Sequence, residues 1–304
     1  MLYSFNDAKA GERHETQYFE MFCNRGIYHK GWTAVTRHGT PWLGAMKRAF
    51  DDDVWELYGP DDWTQSRDLA KDNPKKLHEL QRLFLIEAAK YHVLPLDDRT
   101  FERFNADMAG RPQLIRGTTQ LLFGGMGRLS ESSVVNIKNK SHSVTAEVVV
   151  PASGARGVIV AQGGSINGWS LYARDGKLKY CYNFFGIKLF YAQAAQPIPA
   201  GKHQVRMEFK YDGGGLGKGG VVSLYVDGKK DGEGRVDKTV PMAFSADETC
   251  DIGREAGSPV SPDYGPQGNE WSGEVNWVQI DLEKDDHDHL ISPEERLRVA
   301  MARQ

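Results

Sequence analysis

"GWSLYARDGKLKYCYNFF", Gly168 to Phe185, sets two runs of alternating apolar and polar residues on either side of Asp175-Gly176. Successive side chains of a strand point to opposite faces, so alternation predicts half-buried strands. Asp-Gly accepts the positive φ angles of a two-residue hairpin turn, whose twist matches that of the flanking strands. The same arrangement recurs in "GVVSLYVDGKKDGEG", Gly220 to Gly234, around Asp227-Gly228. "SVTAEVVVP", "GVIVAQGG", "KHQVRMEFKYDGG" and "EVNWVQIDL" add further β-rich runs, punctuated by Gly. Strands at such short, regular spacing predict a two-sheet β-sandwich of about 170 residues.

Upstream the pattern is mixed. "GIYHKGWTAVTRH", Gly26 to His38, reads as two short strands joined by a tight His-Lys-Gly turn. "NPKKLHELQRLFLIEAAKYHV" has Pro74 suited to a first helical turn, and Leu77, Leu80, Leu83, Phe84 and Ala88 on one face of an amphipathic helix. "LPLDDRTFERFNADMAGRPQ", Leu94 to Gln113, has no clear period and reads as a connecting segment on the surface. At the far end "SPEERLRVAMARQ" predicts a helix, with Ser292, Pro293 and Glu295 in a capping-box arrangement.

At 304 residues the chain is long enough for about two domains. The net charge of −3, with both signs mixed along the chain, offers phosphates no basic face, so nucleic acid is not an expected partner. No apolar run approaches the ~18 residues of a membrane-spanning helix, and the first residues lack a secretory pattern, so no membrane partner is expected. Cys23, Cys181 and Cys250 are odd in number and far apart, without a C-x-x-C pair, and read as small core residues or free thiols.

Trp55 to Phe84, "WELYGPDDWTQSRDLAKDNPKKLHELQRLF", resembles the C-terminal signature of the type I sulfatases: an ELY strand, an Asp-rich polar loop, "DLA" at Asp68 to Ala70, and a closing helix. Gln17 to Trp42 resembles the preceding strands of the long bacterial arylsulfatases, including its Tyr-Phe-Glu-Met run and its Arg-x-Ile-Tyr-His turn. The remainder resembles the concanavalin or laminin-G-like sandwich that follows in those proteins, with "VSLYVDGKK" as its most recognisable piece. The resemblance implies an α+β, mostly β chain. Residues 1–95 would be a sulfatase C-terminal subdomain truncated at its start, 96–113 a connecting segment, 114–284 a β-sandwich, and 285–304 a C-terminal linker and helix.

The family hydrolyses sulfate monoesters with a formylglycine made from the Cys or Ser of a C-x-P-x-R motif, and with a divalent metal, usually calcium. A hydrated aldehyde supplies the nucleophile, the hard cation polarises the sulfate oxygens, and Lys, His and Arg neutralise the developing charge. No C-x-P-x-R or S-x-P-x-R string occurs here, and "CDIGR" from Cys250 has Ile252 where proline is required. The expectation is a fragment without the nucleophile or metal ligands, inactive alone, with Met1 an internal methionine of a longer protein. Its expected partners are the missing sulfatase α/β domain and, in the intact enzyme, a sulfate ester; a homo-oligomer is the other possibility. Without that domain, the Gln17 to Val93 unit would leave an apolar face exposed.

Candidate site residues follow from the resemblance. Arg25, His29 and Lys30 lie on a turn that in the family sits near the mouth of the cleft, a substrate-rim position. The family has Gly where this chain has Cys23, and often Ala at Gly26, which puts the backbone near Asn24 in question. Asp51, Asp52 and Asp53 form a hard-oxygen cluster that reads as a calcium site or as a solvated acidic turn. Asp72-Asn73 reads as a helix cap, and Asp285 to His289, "DDHDH", as a solvated linker or a metal site. Trp169, Tyr172, Tyr180, Tyr182, Phe184 and Phe185 read as sandwich core or as sugar-stacking surfaces. The alternative to a sulfatase fragment is therefore a non-catalytic carbohydrate-binding or oligomerisation module.

Overall fold

A computed structural model describes residues 3, 5–7, 9–11, 13–40, 48–99, 101–110 and 114–283, with only the backbone for 101 and 102. The chain divides into two compact units, Met1–Thr100 and Phe101–Gln304. The Asp285 to His289 run and the helix expected from Ser292 lie outside the described residues.

In the first unit β1 (Thr16–Met21), β2 (Asn24–His29), β3 (Trp32–Thr36) and β4 (Trp55–Tyr58) form an antiparallel sheet in chain order. The register aligns Tyr18, Ile27, Ala34 and Leu57 in one row across the sheet. Strand alternation turns that row to a single face, where it meets Leu80, Phe84 and Ala88 of helix α1 (Pro74–Lys90). Each of those large apolar side chains contributes about 1.5–3 kcal/mol through burial. Pro74 opens the helix, where its missing N–H costs nothing, and Asn73 holds the N-cap position without a side-chain bond to the helix. On the opposite face of the sheet Phe19 and Met21 are exposed.

Both hairpin turns of this sheet place their central residues at positive φ, Lys30 (47°) with Gly31 (85°) and Phe22 (50°) with Cys23 (67°). At Gly31 a Cβ would also lie 2.7 Å from that of Pro60, so only glycine fits. Cys23 occupies a left-handed geometry that glycine accepts freely and a residue with a side chain does not. The chain keeps the turn and accepts the strain.

The second unit holds α2 (Ala106–Ala109) and β5 (Thr119–Phe123), β6 (His142–Val150), β7 (Gly157–Gly163), β8 (Gly168–Arg174), β9 (Lys177–Phe184), β10 (Lys188–Pro197), β11 (Gly201–Tyr211), β12 (Lys218–Val226), β13 (Lys229–Lys238), β14 (Cys250–Ile252) and β15 (Glu274–Leu282). They form one sheet of 11 strands, in the order β14-β7-β8-β9-β10-β13-β12-β11-β6-β15-β5. Its two edges meet. Just past β5, Leu129 exchanges backbone bonds with Cys250 (3.1 and 2.8 Å), and Ile252 N–H donates to Met126 O (2.8 Å). A sheet whose opposite edges touch has curled over on itself, which makes it sandwich-like around one main core. That core draws side chains from every strand, among them Leu122, Val148, Trp169, Tyr180, Phe190, Met207, Leu224 and Ile280.

Asp175-Gly176 (φ 52° and 78°) and Asp227-Gly228 (47° and 76°) are the hairpin turns the sequence predicts. β10 extends the sheet beyond the quoted hairpin, since Lys188–Pro197 pairs with β9 over most of its length. Within Leu94 to Gln113 the structure places α2, capped by Asn105, whose side-chain oxygen accepts from Asp107 and Met108 N–H. Lys140 Nζ reaches Asp107, and Lys138 Nζ reaches Glu131, so two buried lysines are paired there. Burial lowers the Lys138 pKa despite that pairing.

Candidate functional site

Arg25, His29 and Lys30 do not converge on one point. Arg25 and His29 stand at opposite ends of β2, about 13 Å apart at the usual strand rise. Arg25 turns inward and pairs with the Asp53 carboxylate, its guanidinium 5.4 Å from the Phe50 ring centre and 5.3 Å from that of Trp55. His38 Nδ1 lies 2.9 Å from the same carboxylate, with its ring stacked on Phe50 at 4.7 Å. His29 Nδ1 bonds Thr16 Oγ1 at 2.8 Å, and exposed Lys30 pairs with Glu15 at 3.1 Å. Of the Asp51 to Asp53 cluster, the Asp53 carboxyl is thus spent on Arg25 and His38 and is fully buried. That donor set does not fit calcium, which takes six to eight oxygens at ~2.4 Å.

The cysteines are equally unsuited to chemistry. All three are buried. Burial pushes the Cys181 thiol up to about 12, and raises that of Cys250 well above the ordinary thiol range. A nucleophilic cysteine requires the thiolate, so "CDIGR" is a core strand and not a nucleophile site. Among the described residues no group of three or more His, Cys, Asp or Glu is placed to hold a metal ion. Nor, among them, is any helix long and apolar enough to cross a membrane.

The second unit offers a different arrangement on the outer face of β8 and β9. Trp169, Leu171, Tyr180 and Tyr182 point into the core, so four aromatic or apolar positions of the quoted hairpin are structural. Tyr172 and Cys181 point the other way and are buried too, because the segment 253–265 folds over them and adds Val260 and Tyr264 to a small second core. Asp263 fastens one end of this segment. It accepts from Tyr172 OH (2.5 Å), Arg174 Nη1 (2.6 Å) and Lys179 Nζ. Burial pushes its pKa up, but the hydrogen bonds from Lys179 and Tyr172 outweigh that and hold the carboxyl below its ordinary value.

Glu255 lies at the other end, 3% exposed. Its Oε1 accepts from Val260 N–H (3.0 Å), and its backbone exchanges bonds with the Asn269 side chain. No hydrogen bond of full geometry reaches its Oε2, the nearby Tyr264 hydroxyl or Ser170 Oγ, yet the Tyr264 hydroxyl interacts with both the Glu255 carboxyl and Ser170. Burial raises the Glu255 pKa to about 7, with the charges of Asp251 and Glu248 adding to the shift. The carboxyl therefore keeps its proton to a higher pH than an exposed glutamate does.

This segment also supports the tip of the β9–β10 hairpin. Asn183 Nδ2 donates to Val260 O (3.0 Å) and Ser165 O (2.9 Å), and its Oδ1 accepts from Gly186 N–H (2.9 Å). Asn167 Oδ1 accepts from Phe185 N–H (2.9 Å). Ser165 N–H is tied in turn to Ser258 Oγ (2.9 Å). So held, Phe185 (φ 55°) and Gly186 (φ 63°) both take the left-handed geometry, unusual for a bulky aromatic residue. The result is an apolar cluster presented to solvent. Ile187 is 85% exposed, Ile166 67% and Phe185 46%. Strain at an exposed, rigidly supported tip is where function concentrates. Sequence reasoning missed Glu255, Asn183, Ile166 and Ile187, because their role depends on a fold-over of 253–265 that no local pattern announces.

No protein-family model matches the chain. No curated protein matches it either. Among solved structures the chain is similar to a native heptameric SAP-like pentraxin of Limulus polyphemus, with 16% identity over 55% of this chain and 78% of that one, at a TM-score of 0.33. It is similar to domains LG4-5 of the mouse laminin α1 chain, with 14% identity over 55% of this chain and 43% of that one, at 0.36. A galectin of Caenorhabditis elegans is matched at 10% identity over 54% of this chain and 96% of that one, at 0.30.

Proposed function

We propose that the second unit is a non-catalytic module of the concanavalin-like type that assembles copies of the chain through its loop end. The observation that carries this reading is the apolar tip formed by Ile166, Phe185 and Ile187, held in place by Asn167 and Asn183. Branched aliphatic side chains make poor sugar platforms, and the aromatics best placed for stacking, Trp169 and Tyr180, are in the core. An exposed apolar cluster on a rigid support matches a protein-contact surface instead. The test is the concentration dependence of mass in solution. The whole chain should self-associate at micromolar concentration, and Ile187→Asp should leave it monomeric. A monomeric chain that binds immobilised glycans would overturn the proposal in favour of a lectin.

A second reading concerns the first unit, and its support is the exposed Phe19 and Met21 on the sheet face opposite α1. We infer that this face docks against a sulfatase α/β domain, which would carry the formylglycine and calcium, with His29 and Lys30 at the substrate rim and Arg25 buried behind them. No C-x-P-x-R or S-x-P-x-R string occurs in the sequence, and among the described residues no group is placed to hold a metal ion. On this reading the chain alone does not turn over a chromogenic aryl sulfate in calcium. Turnover abolished by Cys250→Ala would overturn it.

A further inference from the structure

Glu255 is joined to the apolar tip by an unbroken line of hydrogen bonds. Its Oε1 accepts from Val260 N–H (3.0 Å), Val260 O accepts from Asn183 Nδ2 (3.0 Å), and Asn183 Oδ1 accepts from Gly186 N–H (2.9 Å). The other carboxyl oxygen faces an incomplete polar pocket. Glu255 Oε2, Tyr264 OH and Ser170 Oγ are all buried, and the Tyr264 hydroxyl approaches the other two without completing a hydrogen bond of full geometry to either. Two hydroxyl donors and one acceptor are what a single water molecule needs for three hydrogen bonds, and a buried water is the ordinary remedy for such a set. A protonated Glu255 is tolerated in this pocket, whereas an ionised one requires water, because a buried carboxylate with no cation beside it is unstable.

The titratable groups around Glu255 reinforce that asymmetry. Asp251 on β14 and Glu248 before it are acids, and Tyr264 on the segment itself is neutral, its own pKa raised by burial. From β8 and β9 the facing groups are Ser170, Tyr172 and Cys181, none of them charged at neutral pH. Arg254, the next residue along the chain, is exposed. Lys179 and Arg174 are committed to Asp263 at the far end of the segment.

We propose that residues 253–265 are a pH-sensitive clasp: ionisation of Glu255 admits water under the segment, loosens Val260 and Asn183, and frees the hairpin tip that presents Phe185 and Ile187. The clasp closes in mild acid and opens in mild alkali. This deepens the assembly reading, on which the tip is the contact surface, and makes assembly weaker as pH rises through neutrality. Asp263, with its two cations, stays fastened throughout and keeps the segment attached as a hinged flap.

The test is amide hydrogen exchange on the whole chain between pH 5.5 and 8.5, corrected for the intrinsic pH dependence of exchange. Protection of the Gly186 and Val260 amides should fall about tenfold or more across that range. In Glu255→Gln it should stay level. Equal pH profiles in the two proteins, or level protection in both, would overturn the clasp. Should Glu255→Gln fail to fold, the native chain answers by NMR: the Glu255 side-chain carboxyl and the Gly186 amide must titrate with one midpoint, and separate midpoints would overturn the proposal. Exchange requires no second copy, so a monomeric chain with a pH-dependent tip would remove the assembly reading while leaving the clasp intact.

Discussion

Asp53 and Glu255 both carry buried carboxyls, yet the two units treat them in opposite ways. Asp53 has the Arg25 guanidinium on one side and the His38 imidazole on the other, and its side chain is fully buried between them. Glu255 has only hydroxyls, an amide and two further acids around it, and its pKa rises to about 7. The first acid is anchored by its partners. The second is tolerated because it can take a proton. Burial alone does not decide what a carboxyl does; the charge of its neighbours decides whether it becomes a structural anchor or a titrating group.

The largest effect should come from breaking the anchored case. Asp53→Ala leaves Arg25 and His38 facing each other in a closed space, and breaking one side of such a pair typically costs about 3–5 kcal/mol. Asp53→Asn keeps a hydrogen-bond acceptor and should cost roughly half of that. Urea unfolding of the first unit measures both. A cost of less than about 1 kcal/mol for Asp53→Ala would mean that water already reaches the cluster and that the contrast with Glu255 is not one of environment.

The titrating case gives the next largest effect. A carboxyl whose folded pKa is raised binds its proton more tightly in the folded state. Its contribution is complete below about pH 4.5, declines as pH rises, and is lost above about 7. Over that interval the loss is about 3 kcal/mol as an order of magnitude. In the same unit His142 runs the other way. It is buried neutral, with burial lowering its pKa to about 4, so stability rises as pH climbs from about 4 toward its ordinary 6.5. The two slopes oppose each other, so the native chain should show a nearly level stability between pH 4.5 and 7. Glu255→Gln unmasks the His142 slope and should gain about 3 kcal/mol relative to the native chain between those limits, as measured by urea unfolding at a series of pH values. Parallel pH profiles would show that Glu255 is not the titrating group.

How much of this was legible in the sequence depends on the range of the interaction. Helix α1 was readable because Leu80, Phe84 and Ala88 recur at helical spacing, and that face is the one buried. The Asp-Gly turns were readable because the residue type and the positive φ are locally linked. The Phe22-Cys23 turn was not, since neither residue favours that geometry and tertiary pairing of β1 with β2 imposes it. β10 has no Asp-Gly turn before it: Phe185, Gly186 and Ile187 make the turn at the hairpin tip, in a geometry that no local pattern announces. The closure of the sheet, joining Leu129 to Cys250 across more than a hundred residues, left no local trace. For the site the lesson is sharper. Glu255, Asn183 and Ile187 look like ordinary loop residues, and only the fold-over of 253–265 makes one buried, one a connector and one exposed on purpose.

Asp263 offers the smallest effect and the finest control, because it lies on the same segment as Glu255 and has the cations that Glu255 lacks. Its folded pKa is lowered, so its contribution is present above the ordinary value of 3.8 and is lost as pH falls through the folded value below that. Asp263→Asn removes the charge opposite Arg174 and Lys179 but keeps an acceptor for Tyr172 OH, and should cost about 1 kcal/mol at neutral pH. The cost should vanish in strong acid and should not change between pH 5 and 9, the interval in which Glu255 acts. Urea unfolding of Asp263→Asn and of the native chain at pH 2.5, 5 and 9 separates the two acids. A difference that grows between pH 5 and 9 would mean that Asp263 and Glu255 titrate as one unit, and the clasp would then have no fixed end.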